Sequence, residues 1–168
     1  GYKNFDCIIQ NSGDLMYDCF LNFKNKIIKP SNSEYVLVTC HRESNTSENN
    51  LKEIIKALNH LSKEHEIIFP IHPRTKAKMD SLDIKLEFDS INPVDYFNFI
   101  GLLKNCKYLI TDSGGAVRES YWLNKPSLLL LEKPLWPELV EAGVCLNTIP
   151  KFDQIISQFS SLKNIKTI

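Results

Sequence analysis

Three short polar segments of this chain carry residue types that bind anions, and each follows an apolar run. The segments are His41-Arg42, His72-Pro73-Arg74 and Asp112-Ser113-Gly114-Gly115. Imidazole and guanidinium groups donate hydrogen bonds, and paired glycines let the backbone approach a ligand closely. A helix that begins at such glycines adds unpaired N–H groups and a partial positive charge. Together these features predict a phosphate site.

Glu119 extends this prediction from phosphate to a nucleotide. It falls near the second turn of a helix that is predicted to begin near Gly115, where a carboxylate can accept hydrogen bonds from ribose hydroxyls. Other interpretations stay open for each segment. The glycines can serve the turn alone, His41 can cap a backbone group while Arg42 pairs with Glu43, and Pro73 can simply set a turn.

The elements that position these residues alternate between strand and helix along the whole chain. Apolar runs predict strands at residues 5–9, 35–40, 66–71, 85–88, 108–110, 128–131 and 144–149. Helical patterns cover residues 15–26, a segment after a plausible N-cap at Ser47 with an apolar stripe from Leu51 to Leu61, residues 75–82, a segment opened by Pro93, a segment beyond Gly115, and residues 137–142 and 152–162. This alternation predicts a doubly wound α/β domain with a mainly parallel, Rossmann-like sheet. Ligands of such sheets bind beyond the carboxyl ends of the strands, so the three polar segments should meet at one edge.

Composition excludes several other classes of function. The 168 residues fit one domain, and 20 basic residues balance 20 acidic ones, which argues against nucleic-acid binding. No apolar run approaches the roughly 20 residues that span a bilayer. The five cysteines form no C-x-x-C pair, and no metal-ligand spacing occurs, so neither a metal nor a cofactor is expected. Reduced thiols indicate a cytoplasmic protein.

Four motifs together resemble UDP-N-acetylglucosamine 2-epimerases in order and spacing. They are residues 39–43 (Thr-Cys-His-Arg-Glu), His72-Pro73, Asp112-Ser113-Gly114-Gly115 with Glu119, and residues 137–143 (Pro-Glu-Leu-Val-Glu-Ala-Gly). The resemblance runs from about Asp6 to the end of the chain. It implies the C-terminal, nucleotide-binding domain of a two-domain glycosyltransferase-B type fold, so that residues 1–168 form a single Rossmann-like, UDP-binding domain of a larger protein.

The resemblance also implies roles for eight residues. His41 is the expected catalytic histidine, and the expected UDP-binding residues are Arg42, His72, Phe99, Ser113, Gly114, Gly115 and Glu119. Ser113, Gly114 and Gly115 would hold the diphosphate, Glu119 the ribose hydroxyls and Phe99 the uracil. His72 matches a second histidine, which in some members helps to bind a regulatory UDP-N-acetylglucosamine.

The implied reaction is C2 inversion of UDP-N-acetylglucosamine to UDP-N-acetylmannosamine, through elimination and re-addition of UDP. The carboxylates that move the protons are expected from the missing N-terminal domain, so the isolated domain should be inactive. The resemblance implies a place in cytoplasmic polysaccharide biosynthesis, and it leaves a homodimer of the full-length protein open. A half-domain of a UDP-sugar glycosyltransferase and a non-catalytic nucleotide-sugar-binding module are the alternatives.

Several positions depart from the family pattern. Glu43 and Ser44 follow His41-Arg42 where the family usually has Arg-Glu, and Trp136 and Leu131 replace arginines near the nucleotide. Two lost cations weaken the expected attraction for a diphosphate. A divergent subgroup that acts on another UDP-sugar is consistent with these differences.

Overall fold

A five-stranded parallel sheet forms the centre of the fold in the computed structural model, which describes residues 6, 8–23 and 34–165. Its strands are β1 (Val36–Thr39), β2 (Ile67–Ile68), β3 (Tyr108–Thr111), β4 (Ser127–Leu130) and β5 (Cys145–Thr148). They lie in the order β2-β1-β3-β4-β5, and each neighbouring pair is parallel. The predicted Rossmann-like α/β class is therefore confirmed.

Helices cover both faces of this sheet. They are α1 (Leu15–Phe23), α2 (Glu48–Leu61), α3 (Pro73–Ser81), α4 (Tyr96–Asn105), α5 (Gly114–Trp122), α6 (Pro137–Glu141) and α7 (Phe152–Ser161), with a 3₁₀ turn at Leu162–Asn164. Core residues of α2, α3 and α7 share one hydrophobic cluster. Core residues of α1, α4 and α5 share another on the opposite face, and α6 packs beside it against a smaller third cluster.

The strands are apolar on both sides because both sides are buried. Val36, Val38 and Ile110 pack into the cluster of α2 and α7, whereas Leu37 and Leu109 pack into the cluster of α4 and α5. Side chains of a strand alternate between the two faces of the sheet, so a continuous apolar run serves both clusters.

The strand order places a crevice between β1 and β3. The chain leaves β1 for α2 on one face of the sheet and leaves β3 for α5 on the other face. Connections that diverge in this way open a gap at the carboxyl ends of the two strands, where doubly wound proteins bind ligands. The polar segments that begin at His41 and Asp112 flank this gap.

Two predicted strands differ from the observed structure. The strand predicted at residues 66–71 is limited to β2, with only a single bridge between Pro70 and Ile91 beyond it. Residues 85–88 form no strand, because the Asn59 side chain satisfies their backbone: its Nδ2 donates to the Lys85 carbonyl at 3.0 Å, and its Oδ1 accepts from the Glu87 N–H at 2.9 Å.

Helix starts also shift by a few residues for identifiable reasons. Helix α3 begins at Pro73, not at residue 75, since the His72 side chain caps it and Pro73 already has a helical φ. Helix α4 begins at Tyr96, where the Asp95 carboxylate accepts from the Asn98 N–H at 2.9 Å. Pro93 and Val94 therefore stay outside the helix.

The predicted N-terminal elements are described only in part. Ile8 and Ile9 lie exposed outside any strand, so the strand predicted at residues 5–9 is wrong there, and Phe5 and Cys7 fall outside the described residues. The predicted helix at 15–26 is α1, and residues 24–26 fall outside as well. In the described ranges the four cysteines are free thiols, and no helix is long and apolar enough to cross a membrane.

Replacing Leu109 by alanine should test the buried position of β3. Leu109 is 0% exposed, and deleting a fully buried leucine side chain costs about 2–5 kcal/mol of unfolding free energy, because a cavity remains. Urea unfolding of both proteins measures this difference. The control Leu15→Ala, at a side chain that is 81% exposed, should change stability by less than about 0.5 kcal/mol. Equal losses in the two variants would contradict the assignment of Leu109 to the core.

Candidate functional site

A cavity of about 430 Å³ opens at the carboxyl edge of the sheet. Six of the eight predicted site residues line it: His41, His72, Phe99, Ser113, Gly115 and Glu119. The remaining lining residues are Met16, Thr39, Cys40, Pro70, Pro93, Val94, Tyr96 and Ala116. The structure thus brings all three polar segments around a single cavity, with the N-terminus of α5 in its wall.

The first turn of α5 is built for close approach to an anion. The Ser113 hydroxyl accepts from the Ala116 N–H at 3.3 Å, and the Ser113 N–H donates to the Thr111 hydroxyl at 3.0 Å. Among the described residues, no acceptor faces the N–H groups of Gly114 and Gly115. These two donors, together with the positive end of the helix dipole, leave this turn able to bind a negative charge.

Gly114 lies behind the cavity wall. A Cβ at this position would lie 2.5 Å from Cδ1 of Leu135, and the Trp136 indole N–H donates to the Gly114 carbonyl at 2.9 Å. Trp136 thus supports the glycine turn with a neutral hydrogen bond. Gly115 faces the cavity, and a Cβ there would lie 3.2 Å from the Met16 methyl group.

Arg42 also lies outside the cavity lining. Its Nε donates to the Asp112 carbonyl at 2.6 Å, and its backbone N–H donates to Asp112 Oδ2 at 2.8 Å. The guanidinium therefore fastens the loop after β1 to the loop after β3. A direct contact between Arg42 and UDP stays a prediction.

Asp112 is the residue that joins the two loops, and sequence reasoning assigned it no role. Its carboxylate is fully buried and accepts at Oδ2 from the backbone N–H groups of His41 and Arg42, at 2.9 and 2.8 Å, and from Asn45 Nδ2 at 3.3 Å. Asp112 Oδ1 lies 3.1 Å from His41 Nδ1. The sequence alone did not show this link, because it depends on the pairing of Thr39 with Thr111 across the sheet, which makes the residues just beyond them neighbours.

The Asp112 carboxylate and the His41 imidazole shift each other's pKa. Burial raises the pKa of Asp112, but the contact with His41 and the backbone N–H groups of Arg42 and His41 outweigh burial, so its pKa lies below the usual value. The same contact raises the pKa of His41, against the opposing effects of burial and of the Arg42 and Arg74 charges. The pair therefore favours a protonated imidazole beside an ionised carboxylate.

Glu119 is a buried carboxyl group in the cavity wall. It is 4% exposed, and burial raises its pKa to about 7, although a hydrogen bond from Tyr96 and the Arg118 charge partly offset that effect. Its protonation state therefore changes near neutral pH.

Part of the cavity lining is apolar. It contains Phe99, which is partly buried, together with Met16, Pro93 and Val94. Phe99 is one of the expected site residues, whereas Met16 is not. Apolar and aromatic surface of this kind suits the flat face of a base.

Arg118 holds α1 against α5 and lies outside the cavity lining, with one guanidinium nitrogen 3.8 Å from the Met16 sulfur. Its guanidinium forms an ion pair with Asp14, and its central carbon lies 4.7 Å from the ring centroid of Trp136 and 5.0 Å from that of Trp122. This contact places Met16 over Gly115. Within the described ranges, no cluster of three or more His, Cys, Asp or Glu residues could hold a metal ion.

Comparisons with known proteins identify relatives over most of the chain. The family model for UDP-N-acetylglucosamine 2-epimerase matches residues 6–167. A UDP-2,3-diacetamido-2,3-dideoxy-D-glucuronate 2-epimerase of Pseudomonas aeruginosa is 34% identical over 149 residues, covering 85% of this chain and 42% of that protein. A UDP-N-acetylglucosamine 2-epimerase of Methanococcus maripaludis is 41% identical over 130 residues, covering 72% of this chain and 35% of that protein. The chain spans less than half the length of either relative.

Solved structures share the fold. The UDP-N-acetylglucosamine 2-epimerase of Methanocaldococcus jannaschii, in complex with UDP-N-acetylglucosamine and UDP, matches with a TM-score of 0.74 and 27% identity, covering 94% of this chain and 44% of that one. The Neisseria meningitidis enzyme bound to UDP-N-acetylglucosamine matches with a TM-score of 0.69 and 27% identity, covering 89% of this chain and 40% of that one. A heptosyltransferase of E. coli shares the fold alone. It matches with a TM-score of 0.54 and 15% identity, covering 92% of this chain and 50% of that one.

The variant Glu119→Gln should flatten the pH dependence of stability. The pKa of Glu119 rises from 4.5 unfolded to about 7 folded, so the folded state binds the extra proton and stability falls as pH rises through this range. The wild-type protein should therefore lose up to about 3 kcal/mol relative to the variant between pH 4.5 and pH 8. Chemical unfolding at both pH values measures the difference. The exposed control Glu138→Gln should keep the wild-type slope, and parallel curves for wild type and Glu119→Gln would contradict the shifted pKa.

Proposed function

Because the chain belongs to the UDP-N-acetylglucosamine 2-epimerase family, we propose that it is the UDP-sugar-binding half of a 2-epimerase. The observation that carries this proposal is the cavity between β1 and β3, where His41 and His72 face the first turn of α5. Two imidazoles opposite unpaired backbone N–H groups suit a diphosphate, since every partner can donate to a phosphate oxygen.

The diphosphate lies at the N-terminus of α5 in this proposal. The N–H groups of Gly114 and Gly115 and the Ser113 hydroxyl are its donors, since no acceptor among the described residues takes up these two N–H groups. A side chain at position 114 would collide with Leu135, so a glycine is needed for this turn to keep its place. Arg42 contributes by holding the loop that carries His41.

The nucleoside then extends along the wall that contains Glu119 and Phe99. A buried carboxyl group near the helix start can accept from two ribose hydroxyls, as acidic residues of nucleotide-binding folds do. Phe99, with Pro93 and Val94, provides the apolar surface for uracil.

Catalysis requires residues beyond this chain. The reaction proposed for the whole protein inverts C2 of UDP-N-acetylglucosamine by elimination and re-addition of UDP, with His41 near the phosphates and the sugar. Carboxylates from an N-terminal domain would remove and return the C2 proton. Residues 1–168 would then be one Rossmann-like domain of a two-domain, cytoplasmic enzyme of polysaccharide biosynthesis, and a homodimer of that enzyme stays open.

The sugar is the least constrained part of the ligand. The two relatives quoted above carry the names of enzymes for different UDP-sugars, and Trp136 and Leu131 stand where the family usually has arginines. UDP-N-acetylglucosamine is the first candidate, and a more modified UDP-sugar is the second. The family match favours an epimerase over a half-domain of a glycosyltransferase, because the likeness to the glycosyltransferase quoted above extends to the fold alone.

Calorimetric titration of the full chain with UDP, UDP-N-acetylglucosamine and ADP tests the proposed ligand. Binding of both uridine compounds with little or no heat from ADP is the expected result, because the uracil contacts and the diphosphate contacts act together. A folded chain that gives no heat with any of the three would favour the non-catalytic module instead.

The isolated chain should not epimerise UDP-N-acetylglucosamine. The expected proton-transferring carboxylates lie outside it, so exchange of the C2 proton with solvent deuterium, followed by NMR, should stay at the level of a sample without protein. Turnover near 1–1,000 per second, the usual range for enzymes, would contradict this division between the two halves.

The variant Glu119→Ala should weaken UDP binding. Losing a charge-assisted hydrogen-bonding partner of the ribose costs about 1–3 kcal/mol, or roughly 5- to 150-fold in Kd. The exposed Glu64→Ala provides the control with the same loss of charge away from the cavity, and its Kd should match that of the wild type. An unchanged Kd for Glu119→Ala in the calorimeter would remove Glu119 from the binding site.

A further inference from the structure

The two histidines of the cavity are held by different groups of the protein. Their ring centroids lie 6.4 Å apart. His41 Nδ1 lies 3.1 Å from a carboxylate oxygen of Asp112, which can only accept from it when ionised. His72 Nδ1 accepts from the backbone N–H of Arg74 at 3.2 Å, which is a donor.

These contacts impose opposite tautomers on the two neutral rings. An ionised carboxylate oxygen 3.1 Å from Nδ1 repels a lone pair and attracts a proton there, so neutral His41 keeps its proton on Nδ1 and has a bare Nε2. A backbone N–H opposite Nδ1 requires a lone pair there, so neutral His72 carries its proton on Nε2. The nitrogen away from the fixed contact is then an acceptor in His41 and a donor in His72.

We propose that Asp112 is a positioning residue that fixes the tautomer of His41, so that the cavity offers one acceptor nitrogen from His41 and one N–H donor from His72. The identity of the ligand rests on the proposed function, whereas the contacts of the two histidines are those of the protein without a ligand. One diphosphate oxygen would accept a hydrogen bond from the Nε2–H of His72. A second oxygen would accept from the Nε2–H of His41 once that ring is protonated, while the Nδ1–H of His41 stays directed at the ionised Asp112 carboxylate.

The other charged groups around His41 oppose this protonation, which makes Asp112 necessary for it. Arg42 on the same loop and Arg74 on α3 both lower the pKa of His41, and the neighbouring His72 adds a further imidazole. Asp112 is the carboxylate that faces the ring, and it is held by three other donors, so its position does not depend on His41 alone.

Replacing Asp112 by asparagine separates this role from a merely structural one. The amide oxygen of the variant can accept from the backbone N–H groups of His41 and Arg42, so the loop keeps its anchors. The amide nitrogen then faces His41 Nδ1 and donates to it, which moves the proton of the neutral ring to Nε2. A purely structural role of Asp112 would leave the tautomer unchanged.

Proton–nitrogen NMR correlation of the histidine rings in the full chain tests this inference without a ligand. At pH 8 we expect His41 with its proton on Nδ1 and His72 with its proton on Nε2, and His60→Gln and His65→Gln variants assign the remaining signals. In Asp112→Asn we expect His41 to change to Nε2–H and to titrate at lower pH, with His72 unchanged.

Two results would overturn the inference. One is wild-type His41 with its proton on Nε2, which decides the matter even if Asp112→Asn fails to fold. The other is a folded Asp112→Asn protein whose His41 keeps both tautomer and titration curve. A separate titration of the wild type with UDP tests the proposed ligand independently of the tautomers. If the histidines show the expected tautomers but UDP does not bind, the proposed function is refuted and the inference about Asp112 stands.

Discussion

The buried carboxylate of Asp112 is the constraint on which the candidate site depends. β1 and β3 send their connections to opposite faces of the sheet, so their loops would separate without a link across the gap. Asp112 provides that link by accepting from two successive backbone N–H groups after β1 and from Asn45, whose Nδ2 also donates to the Leu130 carbonyl at 2.8 Å. A charge buried with several donors is stable, whereas one left alone would be costly.

Much of this arrangement was readable from residue types. Continuous apolar runs such as residues 35–40 predict strands that are buried on both faces, and the polar residues after them predict the edge at which a ligand binds. The order of the strands could not be predicted from the sequence. The role of Asp112 depends on that order, because it follows from the pairing of Thr39 with Thr111. The irregular residues 85–88 escaped prediction because a distant side chain, Asn59, bonds to the backbone of Lys85 and Glu87.

The residues of the candidate site also fall into two groups, those that the local sequence predicts and those that tertiary contacts position. Ser113, Gly115 and Glu119 follow from local sequence, because a strand, a glycine turn and a helix fix their relative positions. Arg42 and Gly114 do not line the cavity, because the Arg42 guanidinium donates to the Asp112 carbonyl and the Gly114 carbonyl accepts from Trp136. Their contacts with a ligand stay predictions. Met16 and Tyr96 enter the cavity wall through packing between helices that no local pattern specifies.

The contact between Arg118 and Asp14 makes one wall of the cavity sensitive to ionic strength. Asp14 also caps α1, accepting from the Met16 N–H at 3.0 Å, so the same carboxylate orients the helix and attaches it to α5. Mobile ions screen such partly exposed pairs over a Debye length of about 8 Å at physiological salt. Aromatic contacts of Tyr17 and Phe20 with Trp122 are indifferent to salt. Concentrated electrolyte would therefore loosen Met16 from Gly115 while leaving the rest of α1 in place.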